Sequence, residues 1–238
     1  MKFFIIGDSW GQGEYRNCRL VPDTGLEHHL VQMGHQVTNV SAGSACNFGQ
    51  LRHAYWTLRE HSDYDYIVWF HTEGVRDIDQ IILRDPVDAP QQFPDFELTY
   101  DYAAALEYLA EQNYRYAQMI YTEFKIPFIV IGGQGPVADS IKQFDFYSHL
   151  IPSWPHELTA LESAPSLCMF VNWPQLEAII AHFDLNLKQF IVSNMDQFDL
   201  VENTRRCLDL SELFPDGMHP SRDCYYKLAQ TITNWTHK

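Results

Sequence analysis

The chain has 238 residues, of which 46% are hydrophobic and 14% are aromatic. This content is enough for one well-filled core and too small for two ordinary domains with linkers, so we expect a single domain over residues 1–238. Sixteen Lys and Arg against 31 Asp and Glu give a formal net charge of -15, which would repel phosphate backbones and anionic lipid surfaces. We therefore expect neither nucleic acid nor a membrane as a partner.

The first residues lack the features of a signal peptide. Met1 and Lys2 lead directly into a short apolar stretch, without a cationic segment, a longer apolar core and a small-residue cleavage site. No apolar run approaches the length of a membrane span, and the five cysteines are scattered without a Cys-x-x-Cys pair. The sequence therefore predicts a cytoplasmic protein with reduced, mostly structural thiols.

Apolar runs alternate with amphipathic stretches over the first half of the chain. The predicted strands are Lys2 to Ile6, Gln36 to Val40, Tyr66 to Phe70 and Ile126 to Ile131. Helical apolar spacing predicts one helix over Asn47 to Glu60 and a longer one over Tyr102 to Phe124. Such alternation with continuously apolar strands indicates an α/β fold, in which helices cover both faces of a mainly parallel sheet. Ligands of such sheets bind beyond the carboxyl ends of the strands.

Two segments interrupt this alternation. Residues 84–98 and 133–174 contain several prolines, and we expect irregular insertions there, the second of which is long enough to contain short helices or a lid. Further along the chain, Pro174 to Leu187 is predicted as a helix and Arg206 to Leu210 as a short last strand. Ser221 to Trp235 is predicted as a final helix with Ser221 as its cap.

Residues with nucleophilic and basic chemistry stand near both ends of the chain. Gly7-Asp8-Ser9 directly follows the first strand, and Asp216-Gly217-Met218-His219 lies just before the last helix. Together they supply a hydroxyl, an imidazole and a carboxylate, the three groups of nucleophilic hydrolysis. The spacing lets Asp216 reach back to Nδ1 of His219 and leaves Nε2 free for a hydroxyl. The sequence Gly7-Asp8-Ser9-Trp10-Gly11 also matches Gly-x-Ser-x-Gly, the pattern around the nucleophile of α/β-hydrolases. In that fold several strands precede the serine, whereas only one strand precedes Ser9, which argues against an α/β-hydrolase fold.

In these two blocks the chain resembles the GDSL, or SGNH, hydrolases, whose first block is Gly-Asp-Ser and whose last block is Asp-x-x-His. The resemblance implies a three-layer α/β/α flavodoxin-like sandwich. It implies Ser9 as the nucleophile, His219 as the general base and then acid, and Asp216 as the carboxylate that orients the imidazole. Gly43 follows the second strand, as the family's second block does, which implies that the backbone N–H groups of Gly43 and Ser9 bind the oxyanion. Neither a metal nor a cofactor is expected.

The third block of the family differs in this sequence. Members commonly have Gly-x-Asn-Asp after the third strand, with the asparagine amide aimed at the oxyanion, whereas this chain has His71-Thr72-Glu73-Gly74. An ionised carboxylate only accepts hydrogen bonds, so Glu73 cannot replace an amide donor. Three possibilities stay open: Asn47, His71 or Arg76 supplies the donor; two backbone donors suffice; or the enzyme is slow or inactive.

The sequence therefore predicts a serine-dependent hydrolase that cleaves a small acyl ester, such as an O-acetyl group on a carbohydrate, through an acyl-enzyme. The candidate residues of the substrate pocket are Trp10, His71, Glu73 and Arg76. One alternative is a catalytically weakened binding protein on the same scaffold, favoured by Glu73. Another is a flavodoxin-like mononucleotide binder, although the first strand leads into Gly-Asp-Ser-Trp and not into a phosphate-cradling loop. The oligomeric state is left open.

Overall fold

The computed structural model describes residues 1–16, 19–72, 74–77, 102–133, 136–159, 213 and 219–236. In these ranges the strands are β1 (Lys2–Ile6), β2 (Tyr15–Arg16), β3 (Arg19–Leu20), β4 (Gln36–Asn39), β5 (Tyr66–His71), β6 (Phe128–Gly132) and β7 (Tyr147–Ile151). The helices are α1 (Ser9–Gln12), α2 (Leu26–Gln32), α3 (Asn47–Glu60), α4 (Gly74–Asp77), α5 (Tyr102–Phe124), α6 (Trp154–Thr159) and α7 (Arg222–Thr236). A 3-10 helix spans Asp139–Gln143.

Five of the described strands form one parallel sheet in the order β4-β1-β5-β6-β7. Counted along the chain, these are the second, first, third, fourth and fifth strands of the sheet, which is the order of flavodoxin-like doubly wound sheets. The strand order reverses between β1 and β5, and ligands of such sheets bind beyond the carboxyl ends at this point. The prediction of a mainly parallel α/β sheet is confirmed.

Apolar side chains cover both faces of the sheet. In β1, Phe3 and Ile5 pack in one core cluster with residues of α2 and α7, whereas Phe4 and Ile6 pack in another with residues of α3 and α5. Successive side chains of a strand point to opposite faces, so a continuous apolar run has to be covered on both sides. The described elements therefore form the predicted three-layer α/β/α sandwich.

Most predicted elements in the described ranges have nearly the predicted bounds. Helices α3 and α5 begin and end at the predicted residues. Strand β6 begins at Phe128 and not at Ile126 as predicted, because Pro127 has no N–H to offer to a neighbouring strand. Ser221 directly precedes α7, and its carbonyl oxygen accepts the N–H of Cys224.

Part of segment 133–174 is regular: short helices were expected there, whereas a strand was not. It contains the 3-10 helix, strand β7, which pairs with β6 and is the outermost of the described strands, and helix α6. The polar residues Ser148 and His149 interrupt the apolar run of this strand, because Ser148 is exposed and His149 only half-buried, so the sequence does not indicate a strand here.

Three other predicted features lie outside the described residues: the insertion at 84–98, the helix Pro174 to Leu187 and the strand Arg206 to Leu210. The single-domain organisation stays a prediction. Within the ranges that the structure describes, no helix combines the length and apolar character needed to cross a bilayer.

Candidate functional site

The turn that carries Ser9 is shaped by the two residues before it. Gly7 has a φ of +151°, and a Cβ at this position would lie 2.6 Å from Cβ of Phe70 on the neighbouring strand β5. Both the dihedral angle and the close approach therefore require glycine. Asp8 is the N-cap of α1, since its Oδ1 accepts the N–H of Trp10 at 2.9 Å. Ser9 follows as the first residue of α1, just beyond the carboxyl end of β1.

Ser9 and His219 are in hydrogen-bond contact, although 210 residues separate them in the sequence. Nε2 of His219 lies 2.8 Å from Oγ of Ser9, and both residues are 8% exposed. This distance allows an imidazole to take the proton of a hydroxyl. The structure thus brings together two of the three predicted catalytic residues. Asp216 lies outside the described residues, so its contact with Nδ1 of His219 stays a prediction.

Glu14, five residues after Ser9, forms a hydrogen bond with the start of helix α7, which follows His219. The Glu14 carboxylate accepts the backbone N–H of Arg222, the first residue of α7, at 2.7 Å. Glu14 is only 2% exposed. The first N–H groups of a helix have no partners within the helix, and the helix dipole favours a negative charge there. This buried contact therefore stabilises the position of His219, three residues before Arg222.

A second contact joins α7 to the Ser9 turn. The hydroxyl of Tyr225, on α7, donates to the carbonyl oxygens of Trp10 at 2.7 Å and of Gly13 at 3.2 Å. Tyr225 is fully buried in the same core cluster as Trp10. A buried hydroxyl needs such partners, and here they connect the two parts of the chain that carry Ser9 and His219.

The carboxylate of Asp8 is buried beside the nucleophile turn and accepts hydrogen bonds from two further side chains. Its Oδ2 accepts the hydroxyl of Thr72 at 2.7 Å and Nη1 of Arg76 at 3.2 Å. A carboxylate that is 1% exposed needs hydrogen-bond donors or a counter-charge around it. Arg76, predicted as a pocket residue or an oxyanion donor, thus pairs with Asp8.

The side-chain amide of Asn47 is engaged by the protein itself. Its Nδ2 donates to the carbonyl oxygen of Thr72 and to Oδ2 of Asp77, both at 3.0 Å. Its Oδ1 accepts the N–H of Thr72 at 2.9 Å. An amide group has two N–H donors, and both are used here. Asn47 therefore has no donor left for an oxyanion, and we do not assign it that role.

Asp77 is a buried residue of this network that the sequence did not single out. It is 0% exposed and accepts Nδ2 of Asn47, Nδ2 of Asn113 and the backbone N–H of Phe48, each at 3.0 Å. Burial raises the pKa of the Asp77 carboxyl, whereas these hydrogen bonds act in the opposite direction. The network ties α4 to α3 and α5, behind the end of β5.

Two of the predicted pocket residues lie in the core. Trp10 is fully buried and packs against Trp154, with ring centroids 5.8 Å apart. His71 is 4% exposed, and its ring centroid lies 5.3 Å from that of Trp69 and 5.9 Å from that of Tyr114. Burial among aromatic rings does not support their predicted role as pocket walls. In the sequence, Trp10 lies next to Ser9 and His71 at the end of a strand. These positions do not determine whether the side chains point into the core or towards the site.

Gly43, the predicted oxyanion residue, lies in the loop after β4 near Gln12 and Tyr15. A Cβ added to Gly43 would stand 3.5 Å from Oε1 of Gln12 and 3.8 Å from the hydroxyl of Tyr15. The Tyr15 ring in turn stacks on the imidazole of His219, with ring centroids 4.2 Å apart and an angle of 24° between the planes. The sequence prediction missed Tyr15 and Gln12, because the four-residue helix that ends at Gln12 and the two-residue strand that begins at Tyr15 are too short to form a pattern.

Other chemistry can be judged only for the described residues. Among them, no group of three or more His, Cys, Asp or Glu is placed to hold a metal ion. Cys46 and Cys224 are buried free thiols, and burial raises the pKa of both, that of Cys46 to about 12. Both thiols are therefore protonated near neutral pH, which is typical of structural cysteines. Glu73 lies outside the described residues.

No family model and no curated protein sequence matches the chain. The chain is similar to the crystal structure of TesA, with a TM-score of 0.50 and 13% identity over 99% of this chain and 97% of that chain. The psychrotrophic esterase EstA from Pseudoalteromonas sp. has a TM-score of 0.47 and 10% identity, over 100% of this chain and 99% of that chain. A catalytic mutant of Axe2, an acetylxylan esterase from Geobacillus stearothermophilus, has a TM-score of 0.39 and 14% identity, over 98% of this chain and 93% of that chain.

The likeness to TesA spans nearly the whole of both chains and, at 13% identity, concerns the fold. It agrees with the parallel order β4-β1-β5-β6-β7 and with the helices on both faces of the sheet. The chain therefore has a GDSL/SGNH hydrolase-like fold.

Proposed function

We propose that the chain is a serine-dependent hydrolase that cleaves a small acyl ester through an acyl-enzyme. The observation that carries the proposal is the 2.8 Å contact between Oγ of Ser9 and Nε2 of His219. A hydroxyl is a weak nucleophile unless a base takes its proton, and this base lies within hydrogen-bond distance. We assign Asp216 the role of orienting the imidazole through Nδ1, as its spacing predicts.

The proposed reaction has two steps. First, Ser9 Oγ bonds to the acyl carbon while its proton passes to Nε2 of His219. The bond between the acyl carbon and the alcohol oxygen then breaks, and His219 gives the proton to the leaving alcohol. Next, water attacks the acyl-enzyme, its proton passes to His219 and from there to Oγ of Ser9, and the carboxylic acid leaves. One water is consumed, and no cofactor enters the balance.

The backbone N–H groups of Ser9 and Gly43 are the proposed oxyanion donors. Support for Gly43 comes from its place beside Tyr15, whose ring stacks on the imidazole of His219. A side-chain amide at the third position is absent from the sequence, where Glu73 stands instead. Removing one oxyanion donor lowers the rate about a hundredfold, so we expect a site with two donors to turn over more slowly than one with three.

The test compares wild type with Ser9→Ala and His219→Ala on p-nitrophenyl acetate and on an O-acetylated oligosaccharide. Each substitution removes one partner of the proton transfer, so we expect a loss of turnover of about a thousandfold or more. Ser148→Ala, which removes a serine hydroxyl on β7, is the matched control and should leave turnover unchanged. Equal turnover by wild type and Ser9→Ala would contradict the proposal.

A second candidate is a binding protein that keeps this scaffold with weakened catalysis. Glu73 favours it, because an ionised carboxylate near a developing oxyanion opposes the reaction. A fluorophosphonate probe separates the two candidates, since it reacts only with an activated serine. Stoichiometric labelling at Ser9 supports the hydrolase, and a well-folded protein without labelling supports the binding protein.

A further inference from the structure

The ring of Tyr15 covers one face of the His219 imidazole. The two rings are stacked, with centroids 4.2 Å apart and 24° between their planes. We propose that Tyr15 is a positioning residue, which holds the plane of the His219 imidazole so that Nε2 stays directed at Oγ of Ser9. The inference rests on the proposed function, because it concerns the base of that reaction.

Hydrogen bonds alone leave one motion of an imidazole weakly restrained. The contact with Ser9 restrains Nε2 and the proposed contact with Asp216 restrains Nδ1, but hydrogen bonds tolerate some tilt of the ring about its Cβ–Cγ bond. A flat aromatic surface at van der Waals distance opposes this tilt over the whole ring. During the reaction His219 carries a positive charge, and the face of a tyrosine ring is a favourable neighbour for a cation.

The hydroxyl of Tyr15 fixes the outer end of its ring. It donates to Oε1 of Gln12 at 2.5 Å, and Nε2 of Gln12 donates to the carbonyl oxygen of Ser41 at 3.2 Å. Gln12 ends α1, which Ser9 begins, and Ser41 follows β4 in the loop that carries Gly43. The ring that contacts the base is therefore tied to both segments that contribute proposed oxyanion donors.

The backbone before Tyr15 is held by the neighbouring residue Glu14. Its N–H donates to Oγ1 of Thr24 at 3.1 Å, and its carboxylate accepts the N–H of Arg222 at 2.7 Å. The segment that presents the Tyr15 ring is thus attached to the start of the helix that follows His219. The position of the Tyr15 ring relative to the His219 imidazole is therefore restrained through Glu14 and its hydrogen bond to Arg222.

The kinetic test uses Tyr15→Leu, which removes the aromatic face, and Tyr15→Phe, which keeps it. Tyr15→Leu should lower kcat about tenfold with KM changed less than about twofold, and Tyr15→Phe should restore kcat to within about threefold of wild type. Tyr226→Leu, at an exposed tyrosine of α7, is the matched control. Unchanged kcat in Tyr15→Leu, a rise in KM alone, or an equal loss in both Tyr15 variants would overturn the inference.

A spectroscopic test does not depend on activity. The ring current of Tyr15 should displace the C–H proton resonances of His219 upfield in the nuclear magnetic resonance spectrum, where His219→Gln identifies them. Tyr15→Leu should return these resonances downfield and Tyr15→Phe should not; resonances that do not move in Tyr15→Leu overturn the stacking. If Tyr15→Leu loses its thermal unfolding transition, Tyr15→Met, which keeps apolar volume without a ring, takes its place.

The two readouts distinguish this inference from the proposed function. If Ser9→Ala turns over ester like wild type, the hydrolase assignment fails while the resonances of His219 still report whether Tyr15 stacks on the imidazole. If Ser9→Ala is inactive and Tyr15→Leu matches wild type in kcat and in spectrum, the positioning role fails alone.

Discussion

At the scale of single residues, a chain of buried polar groups runs from the nucleophile turn to the helices on one face of the sheet. Asp8 accepts the hydroxyl of Thr72, the backbone of Thr72 pairs with the amide of Asn47, and Asn47 donates to Asp77. Buried polar groups are stable only when they have partners, and each link here has one. Residues that take no part in the proposed chemistry therefore stabilise the position of α1, the short helix that begins at Ser9.

Asp77→Asn should lower the free energy of unfolding by about 1–3 kcal/mol. In wild type Oδ1 accepts one donor and Oδ2 accepts two, so either orientation of an asparagine amide turns its NH2 group towards another N–H. Urea denaturation measures the change. The exposed Asp145→Asn is the control, with an expected change below about 0.5 kcal/mol. Equal stability of Asp77→Asn and wild type would contradict the arrangement of three donors around this carboxylate.

The sequence predicts the type of chemistry at a residue better than the direction of its side chain. Gly7-Asp8-Ser9 could be recognised, because a glycine and a capping residue after a strand have a local structural reason. Asn47, Trp10 and His71 also lie next to predicted site segments, yet each is turned into the protein. Their orientation depends on tertiary neighbours that are distant in the sequence, such as Asp77, and no local pattern contains that information.

At the scale of elements, long apolar periodicity makes boundaries predictable. Helices α3 and α5 bury one side against the sheet, so their spacing is visible over several turns. Strand β7 was not predicted, because the polar residues Ser148 and His149 interrupt its apolar run. Strands β2 and β3 contain only two residues each and are also too short for a pattern, although β2 places Tyr15 against His219.

The start of α7 provides a test at this scale. Glu14→Ala removes the acceptor of the Arg222 N–H, so it should destabilise the protein by about 1–2 kcal/mol, and Glu14→Gln, which keeps an oxygen acceptor, by less. Thermal unfolding measures the loss. Glu27→Ala removes an exposed carboxylate from the first turn of α2 and is the matched control. If Glu14→Ala costs no more than Glu27→Ala, the buried contact does not stabilise α7.

At the scale of the whole molecule, the candidate site forms only when distant parts of the chain have folded together. Ser9 follows the interior strand β1 near the start of the sequence, whereas His219 lies near its end and precedes α7, which packs against α2. Contacts of such large sequence separation carry a loop-closure cost and form late in slow-folding topologies. The pairing of Ser9 with His219 was predictable from the two motifs, but the contacts of Glu14, Tyr15 and Tyr225 that support it were not.

Helix α2 and the start of α7 meet around His29, which should make stability depend on pH. His29 is 6% exposed, and its ring lies near those of His28 and Tyr226. Burial lowers the pKa of the His29 imidazole, the charges of His28 and Arg222 lower it further, and a hydrogen bond with the Arg222 backbone and the charge of Asp223 oppose the shift. In the unfolded chain a histidine binds its proton near pH 6.5, so below about this pH the unfolded state holds more protons than the folded state.

The free energy of unfolding should therefore fall as the pH is lowered through and below about 6.5, and His29→Gln should remove this part of the loss. Urea denaturation of both proteins at about pH 7.5 and at about pH 5.5 measures it. We expect wild type to lose more stability over this interval than His29→Gln. The variant stays neutral at both pH values, whereas wild type must keep a buried imidazole unprotonated at the lower one. Equal losses in the two proteins would show that the contact between α2 and α7 is not the origin of the pH dependence.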